Sequence, residues 1–290
     1  MVNKKAIEFS FSWMFAILVG GVIIFLAVYA SNEYIKTEKI SQDTQLGKEF
    51  GIILTPAETD LESSKITKIS MPIETRFFAE CSNAGNFGSQ KISTSTKSLN
   101  NQWSSTGLSS SFSDKYIFSE KIVESRNYNV LSKTFKMPFK ISSLIYIWSE
   151  NKNYCFVNPP REIELELNDL KTGFQIVSTV SSCSQESEKI CFTSSNCDID
   201  VSLDLSKELR GSLKKKFSDR VYFESPELLY AAIFSDSETY ECQLKRLMKR
   251  ASELGGIYYS KSTLLSSKSC PSNLEFELGD FSRIRDKVEL

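Results

Sequence analysis

Residues 9–30, FSFSWMFAILVGGVIIFLAVYA, contain no charge, no proline and nothing more polar than Ser10 and Ser12. At ~1.5 Å rise per residue, such a stretch makes a helical rod of about 33 Å, enough to cross a hydrocarbon core of ~30 Å with some tilt. Trp13 lies near one end, with Tyr29 and Tyr34 near the other, where amphipathic rings favour the headgroup level. A cleavable secretory signal has a shorter apolar core and a small-x-small exit. The core helix of a soluble domain keeps a polar face, which is missing here. The stretch therefore reads as a transmembrane helix in contact with membrane lipid, preceded by a short cytoplasmic tail over residues 1–8.

The 290-residue chain leaves ample length beyond this anchor for one large domain, and 41% hydrophobic residues supply a core. With 35 basic and 36 acidic residues the net charge is -1, so no global field recruits nucleic acid. Histidine is absent. That removes the commonest general base and zinc ligand, and with them every Ser-His or Cys-His nucleophile.

The cysteines, Cys81, Cys155, Cys183, Cys191, Cys197, Cys242 and Cys270, all follow the anchor, and none forms a C-x-x-C pair. Their spacing fits neither a zinc site nor a redox pair, and no other metal or cofactor signature stands out. Disulfides are expected, up to three bridges and a spare thiol, which places the domain in an oxidising compartment outside the cytoplasm. Cys242 and Cys270 read as partners across a helix and its return. Lys and Arg counts on the two sides of the anchor give no decisive bias, so the cysteines carry the orientation.

The head, MVNKKAIEFSFSWMFAIL, resembles the class III signal of archaeal type IV pilins and pilin-like proteins. Two lysines, a small residue and Glu-Phe run straight into the apolar helix. The resemblance implies cleavage after Ala6, with Lys4 and Lys5 recognised and the helix retained. Glu8 would then be second past the cut, closer than the family's glutamate. An uncleaved signal-anchor, with Glu8 snorkelling to the interface, is the alternative. Together with QDTQLGKEFGIILTPAETDLES and TYECQLKRLMKRAS, the head also loosely resembles uncharacterised single-span membrane proteins of small-genome archaea, which implies no activity.

Ser12, Ala16 and Gly20 recur every four residues and share one helix face, where a second helix could approach closely. This suits a homo-oligomer or another membrane subunit. No proline interrupts residues 31–50, and Ile35, Ile40, Leu46, Phe50 and Ile53 fall roughly on one side. A helical stalk over residues 31–54 is expected, ending at Pro56.

The rest, residues 55–290, reads as an extracytoplasmic α+β domain, strands first and helices last. Strands are expected at 65–70, 72–81, 90–96, 128–135, 174–180, 189–193, 198–205 and 220–223. Residues 144–149 and 154–157 read as the arms of a hairpin. Residues 99–113 form a serine-rich surface loop, with Trp103 pinning it. REIELELNDL after Pro160 reads as a short helix. Ser225-Pro226-Glu227 opens a helix, and residues 237–254 form another, stopped by Gly255-Gly256. On that second helix Tyr240, Leu244, Leu247, Met248, Ala251 and Leu254 make an apolar stripe. Lys245, Arg246, Lys249 and Arg250 crowd the other side as a solvated face.

Asp198, Asp200 and Asp204 alternate, as calcium ligands could, but read as the wet face of a strand. Ser212 and Lys215 have the spacing of a Ser-Lys acyl enzyme, in a stretch that reads as a solvated turn. No nucleotide-binding motif occurs. The expectation is a non-enzymatic, single-pass surface or structural protein without cofactor or catalytic residues, pilin-like in its assembly. The alternatives are an anchored monomeric ectodomain that binds a ligand or partner cell surface and, behind it, a Ser-Lys hydrolase. Assembly through the small-residue face predicts that Gly20→Leu converts detergent-solubilised oligomers to monomers, read by light scattering; an unchanged mass distribution would sink that expectation.

Overall fold

One unbroken helix, α1 (Phe11–Ile53), is both the apolar N-terminal stretch and the stalk beyond it. The computed structural model describes residues 11–58, 66–98, 100–170, 173–193, 196–204, 209–270 and 273–283. At ~1.5 Å per residue, the 43 residues of α1 extend about 65 Å. This is the one helix among the described residues long and apolar enough to cross a membrane.

The far end of α1 lies on the globular part through only part of the expected stripe, Phe50 and Leu46. Ile35 and Ile53 are exposed, and Ile40 and Leu46 are half-buried. The buried positions are Asp43, Gly47, Phe50 and Gly51, followed by Leu54. The contact is close enough to favour glycine over large apolar residues: a Cβ on Gly51 would lie 2.2 Å from the Phe112 ring edge. The Asp43 carbonyl accepts from Thr94 Oγ1 at 2.7 Å, and its carboxylate from Ser104 Oγ at 2.5 Å. A four-residue turn of helix, α2 (Thr55–Glu58), closes the segment.

Two six-stranded sheets follow. The first comprises β1 (Ile66–Ser82), β2 (Ser89–Thr96), β3 (Ser110–Phe112), β4 (Tyr116–Phe118), β5 (Ile122–Lys136) and β6 (Lys140–Ser149), in the order β3-β2-β1-β5-β6-β4. The two strands expected over 65–81 are a single strand, β1, whose register with β5 shifts between Ser70 and Thr75. This sheet is buried on both faces. Phe77, Tyr128, Ile145 and Ile147 pack with Phe50 and Leu54 on one side. Leu131, Leu144, Tyr146 and Trp148 join the larger core on the other. Such strands read as continuous apolar runs rather than alternating ones, which is why β4 escapes a search for period two. Trp103 pins its loop as expected, under the Arg76 guanidinium at 4.1 Å.

The second sheet comprises β7 (Tyr154–Val157), β8 (Gln175–Val177), β9 (Glu188–Cys191), β10 (Ile199–Leu203), β11 (Gly211–Lys215) and β12 (Arg220–Phe223), ordered β12-β11-β10-β9-β7-β8. It is parallel from β8 to β10 and antiparallel beyond. The short helix expected after Pro160, α3 (Arg161–Asp169), links β7 to β8. The expected 144–157 hairpin does not form. β6 already has β5 on one side and β4 on the other, so β7 leaves for the second sheet. β11 also replaces the solvated turn expected around residues 214–216.

The helix α4 (Pro226–Phe234) lies between the sheets, and every residue from Leu228 to Phe234 is buried. A helix apolar all round has no other stable place in a domain. Ser225 caps it, accepting from Leu228 N, with Pro226 in the first turn.

The helix α5 (Ser237–Ser267) departs most from expectation. Gly255-Gly256 does not stop it; Gly255 gives close passage to α6 (Glu275–Ser282), since a Cβ there would lie 2.7 Å from the ring of Phe281. That proximity offsets the ~1 kcal/mol cost of an internal glycine. Its basic face is not solvated either. Arg246 is fully buried. It donates to the carbonyls of Phe87 at 3.1 Å, Lys115 at 2.9 Å and Ser113 at 3.0 Å, and to Gln243 Oε1 at 2.7 Å. Tyr116 stacks on its guanidinium at 4.7 Å. Lys249 donates to the Asn83 and Gly85 carbonyls and Arg250 to that of Ile141.

Three disulfides pair six of the seven cysteines. Cys81–Cys242 ties β1 to α5 across 161 residues, correcting the expected Cys242–Cys270 pair. Cys270 is exposed and free, because α5 runs unbroken to Ser267 and carries it far from Cys242. Cys155–Cys183 and Cys191–Cys197 form, with Val157, a small core on the outer face of the second sheet.

Removing the Arg246 head leaves its buried acceptors unpaired, at ~1–3 kcal/mol each. Arg246→Leu is expected to lower unfolding stability by about 3 kcal/mol or more, measured by urea denaturation of the full chain in nanodiscs. A loss under about 1 kcal/mol would show that the interaction contributes little.

Candidate functional site

A cavity of about 510 Å³ opens between the edge strand β12, the β5–β6 turn, the start of α4 and the first half of α5. Its floor is apolar: Val221, Leu228, Leu244 and Met248, flanked by Tyr222 and Tyr240. β12 supplies this wall through alternation, with Val221 turned inward and Arg220 and Tyr222 outward. Successive turns of α5 bring Tyr240, Leu244 and Met248 to the same side.

The hydroxyl of Tyr240 donates to the Tyr222 carbonyl at 2.6 Å, so a side chain already occupies that acceptor of the strand. Burial pushes the Tyr240 phenol above its ordinary pKa, and nearby Glu224 adds to this. It therefore acts at neutral pH as a donor.

The mouth is charged. Lys136, Arg220 and Lys245 contribute cations, and Glu224 and Glu241 carboxylates. Glu224 is paired with Arg210 at 3.0 Å, whereas Lys136, Arg220 and Lys245 enter none of the ion pairs among the described residues. An apolar cavity with solvent-exposed cations at its lip suits a ligand with an apolar body and an anionic end.

A second cluster lies where the two sheets meet. Lys152 pairs with Glu120 at 2.5 Å and Glu188 at 2.6 Å, over the ring of Tyr154. Burial disfavours its ammonium, but Tyr154, Glu188 and Glu120 outweigh that and hold its pKa above the ordinary lysine value. Nearby, Lys215 reaches the end of α4 and donates to the Ile233 and Ser235 carbonyls, both at 2.7 Å. Burial pushes its pKa down to about 8 against the pull of Glu188. This cluster has two cations, two carboxylates and two helix-end carbonyls saturating one another, and it reads as a structural joint.

The residues singled out in the sequence are placed differently. Ser12, Ala16 and Gly20 lie along one side of α1, and nothing from the domain approaches Gly20 within 4 Å of an added Cβ. Ala6 lies outside the described residues. Ser212 and Lys215 are three apart on β11, so their side chains leave opposite faces of the strand and do not form a dyad. Asp198 accepts from the Lys189 amide, and Asp200 from the amides of Asn196 and Cys197, fastening the loop that Cys191–Cys197 closes. Among the described residues no group of three or more His, Cys, Asp or Glu could hold a metal.

The cavity itself was not visible in the sequence. Its walls come from four segments spread over more than a hundred residues, and nothing local to any of them shows that they meet. The nearest signal is Arg220-Val221-Tyr222, an edge strand presenting a large exposed ring beside a cation.

No protein-family model, curated protein or solved structure matches this chain.

The depressed pKa of Lys215 has a defined sign. Above about pH 8 the folded state releases its proton while the unfolded chain keeps it up to ~10.4, so stability rises with pH. The window closes near pH ~9.5, because Tyr146, Tyr230 and Tyr240, held protonated by burial, reverse the slope as unfolded tyrosines ionise. Urea denaturation should give about 1–2 kcal/mol more stability at pH ~9.5 than at pH ~7.5, and Lys215→Met should abolish that gain. A flat profile in the unsubstituted chain would contradict the placement of Lys215.

Proposed function

We propose that this chain is a non-enzymatic, single-pass surface protein whose disulfide-bonded domain lies outside the cytoplasm. The observation that carries the reading is α1, exposed and apolar over its first half and fastened to the domain by its last turns. Phe11, Phe15, Leu18, Ile24 and Phe25 are all more than half exposed. Burial is worth ~1.5–3 kcal/mol for each such side chain, so leaving this helix in water would cost on the order of tens of kcal/mol. Lipid or other helices must cover it. A helix continuous from membrane to domain also fixes the domain rigidly on its anchor, as expected of a pilin-like subunit that assembles through its helix.

The three disulfides support an oxidising location, since long-lived bridges are rare in the cytoplasm. A second reading, a monomeric anchored ectodomain that binds a ligand, is favoured by the cavity beside β12, whose volume falls in the ~300–1,000 Å³ range of small-molecule sites.

The deciding experiment is the non-reducing intact mass of the protein from its native membrane after thiol alkylation. One label, at Cys270, is expected, together with loss of residues 1–6 if the pilin-like reading holds. A mass retaining residues 1–6 would remove prepilin-type processing and leave an ordinary anchor. Seven labels would place the domain in a reducing compartment and overturn the topology.

A further inference from the structure

We propose that the cavity beside β12 is a binding site for a single-chain anionic amphiphile, a long-chain carboxylate. This assignment rests on the ligand-binding reading above and names its ligand class.

The cavity's dimensions favour one chain. At ~30 Å³ per water-sized group, 510 Å³ holds about seventeen such groups, room for one acyl chain and its head but not for two. The floor of Val221, Leu228, Leu244 and Met248 offers no charge and so suits methylenes, each worth ~0.8 kcal/mol when buried. Met248 adds a deformable wall that adapts to chain length.

The lip sets the charge of the head group. Arg220, Lys136 and Lys245 come from three separate elements, β12, the end of β5 and α5, and converge on one opening. None is used in an ion pair among the described residues, while one of the two rim carboxylates, Glu224, is neutralised by Arg210. A cationic amphiphile would meet this excess of positive charge, and a neutral one would leave it unused. A carboxylate satisfies it, and the planar Arg220 guanidinium can bind both oxygens.

An extended peptide pairing with the free edge of β12 is the natural competitor, since edge strands recruit strands. Tyr240 weighs against it. Its hydroxyl already fills the carbonyl of Tyr222, and Tyr240, Leu244 and Met248 of α5 line the cavity together with β12. The site is thus closed to backbone pairing and open to a chain entering between β12 and α5.

The test uses the full chain in zwitterionic nanodiscs, photolabelled with two diazirine-bearing amphiphiles of equal chain length, one a carboxylate and one a trimethylammonium. Labelled peptides are mapped by mass spectrometry, and labelling of α1 within the disc normalises for partitioning. The carboxylate is expected to label residues 220–228 and 240–248 about tenfold more than the ammonium, equivalent to about 1.4 kcal/mol. Unlabelled dodecanoate should compete, and Arg220→Glu with Lys245→Glu should remove the preference. Both substitutions fall on exposed rim positions, and retention of the Cys81–Cys242 bridge checks their fold. Equal labelling of the cavity by the two probes would overturn the charge assignment while leaving the ligand-binding reading intact. Labelling confined to α1 with both probes would overturn the two together.

Discussion

The guanidinium of Arg246 fixes α5 against the turns of the first sheet. A buried, unpaired cation is costly, and here its charge is spread over three backbone carbonyls, a glutamine oxygen and the face of Tyr116. Those carbonyls belong to the β1–β2 turn and the β3–β4 connection, so α5 can be placed in only one way against the first sheet. Gly88 makes this approach feasible. Its φ of +60° is open to glycine, and a Cβ there would press on the Arg246 side chain at 3.0 Å and collide with the Ser82 carbonyl. Gln243, one turn before Arg246, extends the polar seam to Gln90 and to the Ile117 carbonyl at 2.9 Å. The Cys81–Cys242 bridge closes the same contact covalently.

Because α5 is fixed, the rest of the layering follows. α4 precedes it by two residues and is delivered between the sheets, where its apolar circumference supplies the middle of the core. Trp148 and Tyr154 pack on Phe234 from different sheets, with ring centroids 4.6 Å and 5.2 Å away. Lys215 anchors the second sheet to the end of α4. The cavity lies where this arrangement leaves Leu244 and Met248 of α5 apart from Val221 of β12.

At the opposite face, α1 is joined by a different device. Its buried positions include Gly47 and Gly51, which let the helix lie close to β2 and β3, and Asp43, which is tied to Ser104 and Thr94. Close approach and hydrogen bonding, rather than a broad apolar stripe, join the anchor to the domain. Motion of α1 is therefore coupled to the first sheet.

The apolar N-terminal helix, its unbroken continuation, the helices at Pro160 and Pro226 and most strands of the second sheet were legible in the amino-acid sequence, because each is governed by local rules of length, capping and periodicity. Three kinds of feature were not. Lys245, Arg246, Lys249 and Arg250 look alike along a helix, and only the carbonyls brought by distant turns separate the buried Arg246 from the exposed Lys245 of the cavity mouth. β6 and β7 look like a hairpin, and only occupation of both edges of β6 sends β7 to the other sheet. Cys242 is nearer in sequence to Cys270 than to Cys81, yet sheet-to-helix packing selects the remote partner. The sequence by itself determined what each segment prefers to be, since that preference is set within a few residues. Which groups share a cavity, a bridge or a buried charge was decided by the tertiary structure, because desolvation and pairing depend on neighbours that the chain supplies from afar.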